Sequence, residues 1–223
     1  MALQDNKNKY DHLQELGGSG YEIVDGQPDI RGWVVKNEVG HIIGDVDELL
    51  FSTESQKVRY IIVTVDAENH PSEDERKILI PIGVADLYDE GQIQDSIPSI
   101  IEGDRTGIYD PREDGQVVVV PINAQQLIML PNYYEGQVDP ETEMLVRHTL
   151  EGANDVGFVV GATSYDPNDF YQHSHFDEDR FYERRWRTGD GAPPPTGTTG
   201  GSRFRSRNTD DPTNDNLNPS DPY

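Results

Sequence analysis

The chain contains no cysteine, which removes disulfides, thiolate nucleophiles and Cys-ligated zinc from the chemistry open to it. Positive charge is scarce as well. Its 18 Lys and Arg residues stand against 42 Asp and Glu, a formal net charge of −24. Nucleic-acid affinity is supplied largely by Lys and Arg that neutralise phosphates, so no nucleic-acid partner is expected. The same field repels an anionic membrane surface. No segment approaches the roughly 18 apolar residues that span a bilayer, and "MALQDNKNKYDHLQELGG" has no apolar core of signal-peptide length. The expectation is a cytoplasmic protein with no direct membrane insertion. Hydrophobic residues make up only 34%, against 21 Gly and 15 Pro. That balance implies one modest core with much irregular chain around it.

What the chain does have is β patterning in its first half. "DHLQEL" puts Leu13 and Leu16 three apart, the spacing of a helical turn, and "GGSG" ends it. "YEIVDGQPDIRG" reads as short extended pieces joined by turns. "GWVVKN" is a short strand, and "HIIGDV" alternates as a second one. "STESQK" supplies a hairpin connection to "VRYIIVTV", which is apolar on both faces, as a strand covered on both sides must be. "KILIPIGVADLYDE" is a further strand in which Pro81 marks an edge or bend. After a turn-rich stretch with one short strand expected near Ile100, "GQVVVVPI" is the last clear strand. Strands at this spacing, separated by Gly and Pro, favour a small antiparallel barrel.

Two short helices follow. "NAQQLIML" carries an N-cap in Asn123. "DPETEMLVRHTL" has Asp139 as N-cap and Pro140 at the first helical position, with Met144, Leu145 and Leu150 available to lie on the barrel. "GFVVGATSY" reads as a lone strand and "YQHSHFDEDRFYERRW" as a charged, aromatic and helical stretch. From residue 188 the apolar content is almost nil, the composition of a disordered tail. The expected division is an N-terminal extension (1–30), a barrel with its helices (31–150), an irregular segment with an Arg/aromatic patch (151–187) and the tail (188–223).

The segments "GHIIGDVDELL", "KVRYIIV" and "ILIPIG", followed by "VVVVPINAQQLIMLPNYYEG", resemble in order and spacing the PRC-barrel family, over about residues 31–137. That family includes the cytoplasmic domain of the photosynthetic reaction-centre H subunit, the C-terminal domain of a ribosome-maturation factor and many stand-alone bacterial proteins. The resemblance implies a mainly β fold, a small antiparallel PRC-type barrel, and a bacterial assembly or adaptor module that is not an enzyme and uses no cofactor. It implies a protein partner, with self-association and membrane attachment through a partner as further options, and for the stand-alone group an association with stress. The alternative is a peripheral, H-subunit-like component of a photosynthetic or electron-transfer complex. Ribosome maturation fits less well, given the charge and the lack of a separate N-terminal barrel. In such a barrel Gly40 serves a turn and Gly44 a bend or close strand crossing, with the Ile42–Ile43 pair in the core and the acidic residues in water.

Few residues suggest chemistry. His173, His175, Asp177 and Asp179 in "HSHFDED" form a dense set of imidazole and carboxylate ligands suited to first-row metals. H-x-H on a solvated segment is usually adventitious, so no metal site is assigned there. His41 beside Gly40 belongs to the side chain that titrates near neutrality, but a turn histidine bonded locally is the simpler account. Asp45, Asp47 and Glu48 resemble an acid–base pair, and a solvated strand face explains them better. No catalytic or cofactor-binding residue is assigned. The patches "RFYERRWR" (180–187) and "SRFRSR" (202–207) place Arg beside aromatics in an acidic chain, and a protein contact is expected of them, either with the chain's own acidic surface or with a partner.

Overall fold

A computed structural model describes residues 12–24, 27–69, 75–88, 116–151, 165–179, 181 and 204–206. The strand expected near Ile100 and the one at 157–165 (apart from Tyr165) lie outside these residues. So does the tail from 188, except for residues 204–206.

The hairpin at the centre of the sheet is built by the most β-branched part of the sequence. Strands β3 (Val34–Asn37), β4 (Ile42–Ser52) and β5 (Lys57–Val65) run antiparallel in succession. In the β3–β4 turn Gly40 takes φ +85°, a left-handed conformation that costs glycine nothing. Asn37 holds that turn through its side-chain oxygen, which accepts from the backbone N–H groups of Val39 and His41. At Gly44 a Cβ would stand 1.8 Å from the Thr64 carbonyl oxygen on β5, so the crossing admits only glycine. Register shifts after Val46 and Leu50 let β4 coil and change the face it presents. The Ile42–Ile43 pair splits: Ile43 is buried, whereas Ile42 is 48% exposed, because the β3–β4 pairing shifts register between Val35 (opposite Gly44) and Lys36 (opposite Ile42), so that Ile43 is an extra residue that breaks the alternation.

Strand β6 (Arg76–Pro81) continues from β5 and stops at the expected proline. A 3-10 turn at Ile82–Val84 leads to β7 (Asp86–Tyr88), and β8 (Val117–Val120) pairs antiparallel with β7 and parallel with β3. The sheet order is therefore β6-β5-β4-β3-β8-β7. Its two end strands are neighbours in sequence, joined by one short turn, so the sheet curls to bring its ends together as a small barrel. The pairing is antiparallel except for β3 and β8. Aliphatic side chains fill the interior, among them Val35, Leu49, Ile61, Val63, Ile78 and Ile80, each at 0% exposure. Burying one such side chain contributes about 1.5–3 kcal/mol.

Three local readings differ from the fold. "DHLQEL" is not helical: Leu13–Glu15 forms β1, pairing antiparallel with β4 from Leu13 opposite Ser52 to Glu15 opposite Leu50. The edge offered by β4 outweighs a two-leucine helical signal, and Leu16 enters the core. The second difference is in the later helices. Both start where their caps indicate: α1 (Ala124–Met129) has a full capping box between Asn123 and Gln126, and in α2 (Pro140–Glu151) Asp139 Oδ1 accepts from the Thr142 N–H. Yet α2 buries Glu143, Val146 and Thr149, while Leu145 is 43% exposed. Third, Phe204–Ser206 forms a strand, β9, antiparallel to β2 (Tyr21–Ile23), with Glu22 opposite Arg205. The Tyr21 ring meets core Phe51 edge-on, at 5.2 Å between centroids.

Candidate functional site

The helix register that exposes Leu145 turns Glu143 inward, and its carboxylate is fully buried. An ionisable group taken out of water needs partners, and three phenols supply them from separate places in the chain. Tyr60 on β5 donates to Oε1 at 3.0 Å. Tyr171 also donates to Oε1, and Tyr165 donates to Oε2. His12 Nε2 lies 2.9 Å from the Tyr171 hydroxyl and 3.6 Å from Glu143 Oε2. Tyr165 and Tyr171 thus tie their segment to α2 and β5.

This segment is shaped by capped turns and aromatic packing. Asp166 caps α3 (Pro167–Phe170), which opens with proline at its first position. A 3-10 turn follows at Ser174–Phe176. Phe176 meets Tyr60 at 5.3 Å, Phe170 at 4.9 Å and Tyr171 at 5.0 Å between centroids. Aromatic pairs of this kind contribute about 0.5–1.5 kcal/mol beyond the area they bury. The turn docks through Gly83, where a Cβ would stand 2.4 Å from the Ser174 carbonyl oxygen. The expected helix over 171–186 starts later than its sequence pattern indicates: turns occupy 171–177, whereas residues 178, 179 and 181 are helical, and Phe176 and Phe181 are buried in the core.

Electrostatics hold the cluster in one protonation pattern. Burial first, then the neighbouring Glu143 charge, raises the pKa values of Tyr60, Tyr165 and Tyr171 above that of a free phenol. All three therefore remain donors at neutral pH. Arg59 places its guanidinium carbon 4.3 Å from the Tyr171 ring centroid and donates to Ser55 Oγ at 3.0 Å. Burial lowers its pKa, and Tyr171, Glu178, Tyr60 and Glu143 offset part of that shift. Glu178, buried too, accepts from the Val58 N–H at 3.1 Å.

Beside the cluster a cleft of about 590 Å3 is bounded by His12, Ser52, Lys57, Arg59, Tyr171 and His173. A second, of about 600 Å3, lies between β1 and the chain after α1, bordered by Glu15, Leu50, Tyr133 and Val138. There the Tyr133 hydroxyl donates to Glu15 Oε1 at 2.6 Å.

The residues singled out from sequence fall in several places. His41 is exposed in the β3–β4 turn, and its backbone makes the local bonds. Asp45 and Asp47 share the outer face of β4, where Asp47 pairs with Lys77 at 2.8 Å. Glu48 differs from them: it accepts from the Gly17 N–H and meets Arg31. His173 and His175 come together, rings perpendicular and 4.5 Å apart. Among the described residues their third neighbour is Glu151, with His173 Nε2 3.2 Å from its Oε1, and neither Asp177 nor Asp179 joins the group. Glu143 and Glu151 were invisible in the sequence as site residues, because a helical glutamate is most often solvated. Of "RFYERRWR" only Phe181 is described, and it belongs to the core.

No helix among the described residues is long and apolar enough to cross a membrane. Comparison with known families matches residues 22–116 to the PRC-barrel domain. No curated protein matches the chain in sequence. The matched stretch takes in β2 to β7, and β8, which joins β3 to β7 in the sheet, begins immediately after it.

Proposed function

We propose that this chain, which carries a PRC-barrel domain over residues 22–116, is a non-enzymatic module that binds another protein. The observation that carries the reading is an apolar projection on α1 and the turn after it. Ile128, Met129 and Tyr134 are 70%, 56% and 60% exposed, while Leu127, Leu130 and Tyr133 between them are buried in the barrel. The buried residues fix the helix rigidly, and the exposed ones project from an acidic protein. Apolar and aromatic side chains held in this way are what protein interfaces use as anchors. A net charge of −24 favours a partner whose contact surface is basic around an apolar centre.

In this reading the Glu143 cluster serves packing. Its carboxylate is closed to solvent and its phenols are committed to it. Its role in this reading is to lock the segment 165–181 against the barrel. Association with a membrane complex would run through the bound protein. The test is affinity purification of the tagged chain from its host, with soluble and membrane fractions analysed separately. Stoichiometric recovery of a protein partner supports the module, and recovery of the chain alone from both fractions contradicts it.

A further inference from the structure

Glu151, His173 and His175 meet where the last residue of α2 faces the 3-10 turn at Ser174–Phe176. Their donor atoms all lie within 4.8 Å of one another, and all three residues are partly buried. In a tetrahedral site with ligand bonds of about 2.0–2.2 Å, neighbouring donors stand roughly 3.3–3.6 Å apart. The 3.2 Å between His173 Nε2 and Glu151 Oε1 is already close to that separation, and a modest side-chain rotation brings the third donor in. Two imidazoles and a carboxylate, with no thiolate, form a donor set for a late first-row divalent cation. We propose that Glu151, His173 and His175 bind one such cation, with Zn2+ as the reference ion and one coordination position left open. His173 also borders the cleft that holds Arg59 and His12, so the open position adjoins that cleft.

Binding of the cation through Nε2 would require His173 to change its tautomer. The His175 backbone N–H donates to His173 Nδ1 over 3.3 Å. A neutral His173 ring therefore carries its proton on Nε2, directed at Glu151. When the cation takes Nε2, that proton moves to Nδ1 and the long amide contact is released, so the imidazole stays neutral. Arg147 Nε donates to the same Glu151 Oε1 at 2.5 Å, so the cation would share that oxygen with Arg147 or take Oε2. The bound ion would tie the end of α2 to the turn that docks on Gly83, and so fasten the segment 165–181 to the barrel. Because such a ligand favours the folded state, it also raises thermal stability by mass action.

The test uses the full-length chain, stripped with chelator, and Zn2+ alone. Calorimetric titration should give one ion per chain and a higher unfolding midpoint. Affinity should fall at least tenfold both in His173→Ala/His175→Ala and in the near-isosteric Glu151→Gln. Co2+ added to the unaltered chain should give the intense visible bands of a four-coordinate centre, a readout that needs no variant to fold. The proposal is overturned if the unaltered chain shows no saturable uptake, if the variants take up Zn2+ equally, or if Co2+ shows only weak six-coordinate bands.

Discussion

The hydroxyl of Tyr60 lies 3.0 Å from Glu143 Oε1, at the centre of the contact between β5 and α2. Tyr60 is 0% exposed and so is Glu143. Glu143→Ala would leave three phenols without their acceptor, of which Tyr60 is fully buried. The expected loss is about 1–3 kcal/mol, the cost of leaving a buried hydrogen-bond donor unsatisfied. Denaturant unfolding should show it as a lower midpoint.

The same phenols set an alkaline limit. The folded-state pKa values of Tyr60 and Tyr171 are raised above the free value of 10.0. Their contribution is fully present below pH 10 and is lost as pH rises toward the folded values, because the unfolded chain then releases protons that the folded chain keeps. Stability should fall above pH 10 by about 1.4 kcal/mol per pH unit for each tyrosine held neutral. Tyr171→Phe should make that slope shallower while lowering stability at pH 7, as pH-dependent unfolding would show.

Two glycines should respond to a single methyl group. Gly44→Ala would drive a Cβ into the Thr64 carbonyl inside the central hairpin, and Gly83→Ala would drive one into the Ser174 carbonyl. Overpacking of this kind costs about 1–3 kcal/mol or more. The outcomes should differ in kind. Gly44→Ala should lower global stability, whereas Gly83→Ala should loosen 165–181 first, detected as faster amide exchange there with the barrel strands still protected.

Removing the Asn123 side chain should cost less. Asn123→Ala ends its reciprocal bonds with Gln126, at about 1 kcal/mol. Thermal unfolding should register a small drop with the fold unchanged.

Most of the barrel was legible because its longer strands carry their own signals, whereas the run read as a single strand over 77–90 is two, β6 and β7, separated by a 3-10 turn. The β-branched run at 58–65 is buried on both faces, Pro81 ends a strand, and Asn123 and Asp139 cap helices where they stand. What stayed hidden depends on partners distant in sequence. Leu13–Glu15 is a strand only because β4 offers an edge, and Phe204–Ser206 only because Tyr21–Ile23 does. Glu143 reads as a solvated helical residue until Tyr60, Tyr165 and Tyr171 converge on it from 83, 22 and 28 residues away. The H-x-H spacing was visible, but its third neighbour, Glu151, lies across the chain segment 152–172.

The most direct test of the central claim compares partner capture by the unaltered chain and by Ile128→Glu/Met129→Glu. Both side chains are more than half exposed, so the double variant should keep its stability within about 0.5 kcal/mol per substitution. If α1 is the anchor, a protein partner recovered stoichiometrically with the unaltered chain should be lost or reduced at least tenfold with the variant. Equal recovery by the two chains, or no partner with either, would contradict the account.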